Sequence, residues 1–214
     1  MPLILLIRHG ENEYVKTGKL AGHIPGVHLN ERGQKQAAEL AEALANAPIK
    51  AIYCSPLERA QETAAPLAAR LGLEIQTRAG LLETNIGDWA GLELKVLGKL
   101  PEWKTVQGAP SRFRFPNGES FAECQIRVAN EIEAIAKLHK ADEVIALVSH
   151  ADPIRLVTAY YLGMSLDHFQ RLACDTASVT MLALADTGAF LHKLNQRPPF
   201  NFPTPEKKKA KAKK

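Results

Sequence analysis

The 214-residue chain has few cysteines and no long apolar run. Its cysteines, Cys54, Cys124 and Cys174, are odd in number and widely spaced, which excludes the paired spacing of a cysteine metal site. We expect them to be buried thiols in a reducing compartment. No apolar stretch approaches the length of a membrane span, and the first residues lack the basic region and cleavage site of a signal peptide. These absences predict a cytoplasmic protein without membrane contact.

The body of the chain also lacks a strong charge of one sign. Six of the 27 basic residues and one of the 23 acidic residues lie in 206–214, which leaves 21 basic against 22 acidic side chains. Such a body does not predict a nucleic-acid surface, and only the lysine tail could attract nucleic acid weakly. A solubilising role is the alternative for that tail. We expect one domain over 1–195 and a disordered Pro- then Lys-rich tail over 196–214.

Alternating strand and helix patterns predict the fold class. Runs at 3–7, 51–54 and 143–148, apolar throughout apart from Glu143 at the start of the third, are typical of strands buried on both faces of a parallel sheet. Helical spacing occurs at 31–47, 58–71 and after the capping box of Ser120 and Glu123, and two further strands are expected at 178–184 and 189–194. The stretch from Thr84 to Gly118 is broken by glycine and proline, which predicts a lid-like insertion. We therefore expect an α/β fold with a mainly parallel central sheet flanked by helices.

Charged and polar side chains follow each of the three buried strands. Arg8 and His9 follow the first, and His150 follows the third. After the second, Ser55 and Glu58 predict a capping box that places Arg59 in the first turn of a helix. Ligands of open α/β sheets bind at the carboxyl ends of the strands, so these groups should meet there. Such a cluster is costly unless it faces an anion.

Five ordered blocks of the chain resemble the histidine phosphatase superfamily, which includes cofactor-dependent phosphoglycerate mutase. The blocks span residue 3 to about residue 195 and read Leu6-Ile7-Arg8-His9-Gly10, Ser55-Pro56-Leu57-Glu58-Arg59-Ala60 with Thr63, Leu82-Glu83 leading to Gly87-Asp88-Trp89-Ala90-Gly91, Pro116-Asn117-Gly118-Glu119-Ser120, and Ser149-His150. One block alone would be a weak signal. Five in order predict the fold of that family.

The resemblance implies catalysis through a phosphohistidine. His9 would attack phosphorus as a neutral imidazole, Arg8 and Arg59 would hold the phosphoryl oxygens, and His150 would donate to the same oxygens. Glu83 would protonate the leaving alkoxide and then take a proton from water. We expect no cofactor and no metal, because a metal ion would be repelled by these cations and no ligand cluster is evident.

Two positions near the nucleophile depart from the family pattern. Members commonly carry Ser or Thr three residues after the histidine and Asn six after it, whereas this chain has Asn12 and Val15. Asn12 can still donate to phosphate from its amide. Val15 cannot, so one phosphate contact is lost or rerouted.

Several other charged residues could either contact the substrate or have an ordinary structural role. His23 and His28 could reach the substrate from the loop after the first strand, or they could be solvated. Arg112 and Arg114 could clamp a second anionic group, or they could form the solvated edge of the insertion. Asp152 before Pro153 is read as a helix N-cap, and Arg155 as a surface residue.

The missing positive charge after Glu83 favours hydrolysis over mutase chemistry. The true mutases usually place Arg and Tyr directly after this glutamate to grip the glycerate carboxylate, but here Thr84 and Asn85 follow. We expect a phosphatase acting on a small phosphorylated metabolite. Phosphoglycerate mutase is the first alternative, and a non-catalytic phosphate-binding regulator is the second. The sequence leaves a homodimer open.

Overall fold

The computed structural model describes residues 2–185 and 187–200, so most of the tail expected over 196–214 lies outside it. The strands are β1 (Leu3–Arg8), β2 (Ile49–Cys54), β3 (Ile75–Thr77), β4 (Val144–Ser149), β5 (Val179–Ala185) and β6 (Gly188–Gln196). The α-helices are α1 (Glu13–Thr17), α2 (Glu31–Ala43), α3 (Glu58–Leu71), α4 (Leu94–Leu97), α5 (Trp103–Gly108), α6 (Phe121–Ala136) and α7 (Ala151–Tyr161). Short 3₁₀ turns occupy Ala79–Leu81, Gly87–Trp89, Pro110–Arg112 and Leu166–Arg171. Among the described residues, no helix is both long and apolar enough to cross a membrane.

The six strands form one mixed sheet in the order β3-β2-β4-β1-β5-β6. Strands β3, β2, β4 and β1 are parallel, whereas β5 runs antiparallel to β1 and β6 antiparallel to β5. The predicted fold class is therefore confirmed. Because β1 lies between β4 and β5, and β4 lies beside β2, the three predicted strand ends are adjacent.

The central strands are buried on both faces, as their unbroken apolar runs predict. Leu5 and Ile7 of β1 pack into one core with helices α2 and α3, while Ile4 and Leu6 pack into the other with α6 and α7. Successive side chains of a strand point to opposite faces. The strand interior therefore needs apolar residues at every position.

The insertion over residues 84–118 is a packed segment of short helices and turns without a named strand. Trp89 lies at its centre, with ring centroids 5.1 Å from Phe113 and 5.3 Å from Phe115. Gly87 and Gly118 hold its two ends together, because a Cβ on Gly87 would lie 1.9 Å from the carbonyl oxygen of Pro116. This close packing fixes the backbone that follows Glu83.

Two capping predictions are wrong, and one is confirmed. Helix α3 begins at Glu58 with Leu57 as its N-cap, because the Ser55 hydroxyl is 2.7 Å from Nε2 of His150. Helix α7 begins at Ala151 with His150 as its N-cap, so Asp152 lies inside the first turn. The capping box of Ser120 at the start of α6 is present.

Candidate active site

Four predicted residues meet at the carboxyl edge of the sheet. His9 follows β1, His150 follows β4, and their ring centroids are 5.2 Å apart. Arg59 enters from the first turn of α3 and is 1% exposed. Arg8 is the last residue of β1. With Glu83 and Asn12, the residues Arg8, His9 and Arg59 line a cavity of about 470 Å³.

His9 is arranged as a neutral imidazole with one nitrogen free. Its Nδ1 lies 2.7 Å from the carbonyl oxygen of Gly10, which can only accept, so Nδ1 carries the proton. Burial and the charges of Arg59 and Arg8 hold the pKa of His9 well below its usual range. Nε2 is then unprotonated and has a lone pair to share.

The two arginines carry buried donor groups without protein partners. Arg59 donates from Nη2 to the carbonyl oxygen of Gly22 at 2.8 Å, and Arg8 donates from Nη1 to that of Cys174 at 2.7 Å. Nε and Nη1 of Arg59 and Nε of Arg8 are buried and have no hydrogen-bond partner among the described residues. Leaving such donors unpaired is costly. Their arrangement fits an anion placed between them.

His150 presents a second neutral imidazole to the same place. Burial and the charge of Arg59 hold its pKa well below the usual range. When the Ser55 hydroxyl donates to Nε2, the proton of His150 is on Nδ1, which is buried and has no partner among the described residues. An N–H group in this position can donate to a phosphoryl oxygen.

Glu83 has the acidity that a general acid needs near neutral pH. Burial, followed by the negative charge of Asp152, raises its pKa to about 7, and the hydrogen bond from the Thr84 amide and the charges of Arg59 and Arg8 oppose this rise. The Thr84 amide donates to Oε1 at 2.9 Å. A group with this pKa can both give and take a proton at pH 7.

Asn12 keeps a side-chain N–H group that can donate to phosphate. Val15 has no such group, so it cannot replace the asparagine that the family commonly has at its position. The Asn12 side chain is buried, and its Oδ1 accepts from the Val15 amide at 2.9 Å, which caps α1. Its Nδ2 has no partner within the described part of the chain. Val15 lines the cavity with an apolar side chain.

The remaining candidates do not line the cavity. His23 donates from Nε2 to the carbonyl oxygen of Glu83 at 2.6 Å, so it supports the acid through the main chain. His28 is exposed and bonded to Glu62. Arg114 pairs with Glu123 on the surface, and neither Arg112 nor Arg114 lines the cavity.

Three charged residues line the cavity although the sequence did not assign them to the site. Lys19 follows α1, while Asp152 and Arg155 lie on α7, where Nη1 of Arg155 is 3.5 Å from Oδ1 of Asp152. Arg155 also donates from Nε to the carbonyl oxygen of Leu172. The signal for Asp152 and Arg155 was their place in the first turns of the helix that follows His150.

The insertion supplies an apolar wall to the cavity. The apolar residues of this wall that belong to the insertion are Ile86, Leu94, Trp103, Val106 and Phe115, and Leu20 and Phe121 complete it. A neutral imidazole, buried cationic donors and a carboxyl group with a pKa of about 7 thus face one partly apolar cavity. Such a cavity fits a phosphate ester.

Comparison with known proteins identifies the family. A model of the histidine phosphatase superfamily (branch 1) matches residues 4–197, and the chain belongs to this superfamily. Phosphoserine phosphatase 1 of Hydrogenobacter thermophilus is 32% identical over 197 residues, covering 91% of this chain and 92% of the relative. A 2,3-bisphosphoglycerate-dependent phosphoglycerate mutase of Thermoplasma acidophilum is 29% identical, covering 85% of this chain and 87% of its own.

Solved structures agree with this assignment. Phosphoserine phosphatase from Entamoeba histolytica, solved with 3-phosphoglyceric acid, superimposes with a TM-score of 0.84 at 25% identity and covers 93% of this chain and 99% of its own. A mycobacterial glucosyl-3-phosphoglycerate phosphatase solved with VO3 gives a TM-score of 0.84 at 25% identity, covering 92% of this chain and all of its own. The chain is a histidine phosphatase by family, and its relatives include proteins named as phosphatases and a protein named as a phosphoglycerate mutase.

Proposed function

We propose that the protein hydrolyses a small phosphomonoester through a phosphohistidine on His9, without a metal ion. One observation supports this above all: His9 offers a free Nε2 between buried arginine donors, with a carboxyl group of pKa about 7 on the same cavity. A protein that merely bound phosphate would need the arginines but neither the nucleophile nor the acid.

The reaction proceeds in two balanced displacements. Nε2 of His9 forms a bond to phosphorus while the bond from phosphorus to the ester oxygen breaks, and the leaving oxygen takes the proton of Glu83. The Glu83 carboxylate then removes a proton from water, whose oxygen attacks phosphorus as the bond to Nε2 breaks. The products are the alcohol and inorganic phosphate. Arg8, Arg59, His150 and Asn12 stabilise the charge on the phosphoryl oxygens throughout.

Metal independence rests on the local charge. Two guanidinium groups flank His9, so a divalent cation at the phosphate would meet strong repulsion. Within the described ranges, 2–185 and 187–200, no three His, Cys, Asp or Glu side chains are grouped to hold a metal. Full activity after exhaustive chelation, with inhibition by vanadate, is the expected result. Activity that is lost on chelation and restored by a divalent ion would overturn this part of the proposal.

Mutase activity is the competing function, because Lys19 and Arg155 are cations on the cavity wall. A mutase must grip both ends of a short acid and shield its phosphohistidine from water. Here Arg155 is already bonded to Leu172 and lies close to Asp152, and residues 84–89 carry no positive charge. This favours hydrolysis.

A paired assay separates the two chemistries. Phosphate release from a panel of small phosphomonoesters, including phosphoserine, is measured beside interconversion of the two monophosphoglycerates with added 2,3-bisphosphoglycerate. We expect phosphate release to dominate. Isomerisation that outruns phosphate release by orders of magnitude would contradict the proposal.

A further inference from the structure

The position of the Glu83 carboxyl depends on the main chain that carries it. Among the described residues, its side chain receives a hydrogen bond from the Thr84 amide, which belongs to the next residue and moves with it. Residues 80 and 81 end the 3₁₀ turn Ala79–Leu81, and residues 82–85 belong to no helix or strand. Something outside this segment must therefore hold it in place.

Arg127 on α6 binds this segment at three carbonyl groups. Its Nη1 donates to Gly80 at 3.0 Å and to Leu82 at 3.1 Å, and its Nη2 donates to Glu83 at 3.2 Å. The guanidinium is a rigid planar fork, so three contacts from one group fix both the distance and the direction of the backbone. The carbonyl oxygen of Glu83 also accepts from His23.

Glu119 fixes Arg127 and reaches the same segment from the other side. Its Oε1 accepts from Nη2 of Arg127 at 2.6 Å, and its Oε2 accepts from Nε at 3.3 Å. The same Oε1 accepts from the amide of Asn85 at 2.8 Å. The Glu119 amide in turn donates to the carbonyl oxygen of Asn85 at 2.9 Å.

The pair is largely buried, with 27% of the Arg127 side chain and 17% of the Glu119 side chain exposed. Neither residue lines the cavity. Breaking a buried ion pair by removing one partner is costly, so the pair keeps its geometry. Its contacts run to the backbone on both sides of the acid and none runs to the space that a substrate would occupy.

We propose that Arg127, held by Glu119, is a positioning residue that aims the Glu83 carboxyl at the leaving-group oxygen. The inference rests on the proposed function, in which Glu83 is the proton donor. A general acid must lie within hydrogen-bond reach of the oxygen that it protonates, and a displacement of about 1 Å can cost roughly a hundredfold in rate. Arg127 acts on the rate through Glu83 and not through the phosphoryl group.

The test compares two substrates that differ in their need for an acid. An alkyl phosphate requires protonation of its leaving oxygen, whereas an aryl phosphate with an acidic phenol requires little. Arg127→Lys keeps the charge but loses the fork. The rate of phosphoenzyme formation is measured in a single turnover, because the later attack of water is the same for both esters and also uses Glu83. We expect this rate to fall about tenfold or more for the alkyl ester and less than about threefold for the aryl ester, with the substrate concentration at half-maximal rate nearly unchanged.

Arg78→Lys is the matched control. Arg78 also pairs with a glutamate of α6, Glu131 at 3.8 Å, and lies over the ring of Tyr53. Within the described part of the chain, its side chain makes no hydrogen bond to the Glu83 segment. We expect its ratio of alkyl to aryl rates to equal that of the unmodified protein. Each variant's thermal midpoint is measured alongside, so that a general loss of folding is recognised.

A double variant shows whether Arg127 acts through Glu83. In a Glu83→Gln background, the acid is already gone, so Arg127→Lys should cause almost no further loss with the alkyl ester. Equal losses on both esters, or a full further loss in the Glu83→Gln background, would overturn the inference. If Arg127→Lys does not fold, Glu119→Gln carries the same expectations, because it keeps the shape of the side chain.

The failure of this inference differs from failure of the proposed function. If the unmodified protein releases no phosphate from either ester in a manner that depends on His9, the proposed function is wrong and the positioning role falls with it. If it hydrolyses both esters and the Arg127 and Glu119 variants lose both equally, only the positioning role is wrong.

Discussion

At the scale of single residues, the site works by keeping ionisable groups away from their ordinary charge state. Burial and nearby arginines keep His9 and His150 neutral, so one can share a lone pair and the other can donate from a single nitrogen. The same burial keeps a proton on Glu83 up to about pH 7. The cations and the acid therefore occupy one cavity without neutralising each other.

Asp152 contributes to the acidity of Glu83 by its negative charge. Burial raises the pKa of Asp152 itself, and its charge raises the pKa of Glu83. We expect Asp152→Asn to lower the pKa of Glu83, because the repulsion is removed while the shape is kept. The basic limb of the pH profile for an alkyl ester should then move to lower pH.

The measurement is kcat against pH for the unmodified protein, Asp152→Asn and Asp142→Asn. Asp142 is exposed and precedes β4 at the far end of that strand from His150, so its variant should leave the limb in place. If the basic limb of the pH profile stays in place in Asp152→Asn, the carboxyl groups of Asp152 and Glu83 do not interact.

At the scale of elements, the backbone around Glu83 is held by close contact between two segments distant in sequence. Gly87 has φ 49° and approaches the Pro116 carbonyl so closely that a Cβ would lie 1.9 Å from its oxygen. Gly72 ends α3 with φ 65°, and a Cβ added to Gly72 would have no heavy atom within 4 Å among the described residues. The two glycines share a left-handed backbone and differ in crowding.

This difference gives a stability prediction with an internal control. Alanine at either position is expected to cost about 1–2 kcal/mol for the left-handed conformation. Gly87→Ala must also separate the segments, so its free energy of unfolding should fall by several kcal/mol and its activity should drop. Denaturant titrations of both variants give the comparison. Equal losses would mean that the close approach contributes nothing.

The elements and the strand ends were predictable because their signals are local. A buried parallel strand needs apolar residues throughout its interior. The sequences of β1 and β4 show this up to their last residue, and that of β2 shows it from Ala51 onward. The capping box at Ser120 is equally local. The residues after these strands could therefore be assigned to one edge of the sheet.

Other parts of the site depend on contacts that the local sequence does not show. Ser55 has the pattern of an N-cap, but its hydroxyl bonds to His150, which is 95 residues away. Arg127 lies 44 residues from Glu83 and reaches it only because α6 packs beside the turn that precedes the acid. Lys19, Asp152 and Arg155 likewise reach the cavity through tertiary packing.

At the scale of the whole molecule, two hydrophobic cores on opposite faces of the sheet stabilise the fold, whereas the buried ionisable groups of the site destabilise it. The cores bury the interior of β1 and the whole of β4. The site buries arginines, histidines and Glu83, whose raised pKa means that its ionised form is less stable in the folded protein than in the unfolded chain. The proposed catalytic role of Glu83 and the stability of the fold therefore make opposite demands at this position.

Because folding raises the pKa of Glu83, we expect the free energy of unfolding to depend on pH. In the unfolded chain the Glu83 carboxyl ionises near its ordinary pKa of 4.5, whereas in the folded protein it keeps its proton until about pH 7. The free energy of unfolding therefore falls as the pH rises across this range. Glu83→Gln should thus raise the free energy of unfolding by about 1–3 kcal/mol at pH 8 and by much less at pH 5.

Denaturant titrations at both pH values check this expectation, with Glu39→Gln as the control on the exposed face of α2. Protonation of the buried histidines below about pH 6.5 destabilises both proteins alike and cancels in the difference. A Glu83→Gln variant that is equally or less stable at pH 8 would contradict the raised pKa.

The central claim is that His9 carries the phosphoryl group, and direct trapping tests it. The protein is mixed briefly with a phosphomonoester and denatured in alkali, and the peptide that contains His9 is analysed for phosphate by mass spectrometry. We expect an adduct that is stable in base and labile in acid, present in the unmodified protein and absent in His9→Ala. Failure to trap any adduct while phosphate is released rapidly, or an adduct that persists in His9→Ala, would contradict the account.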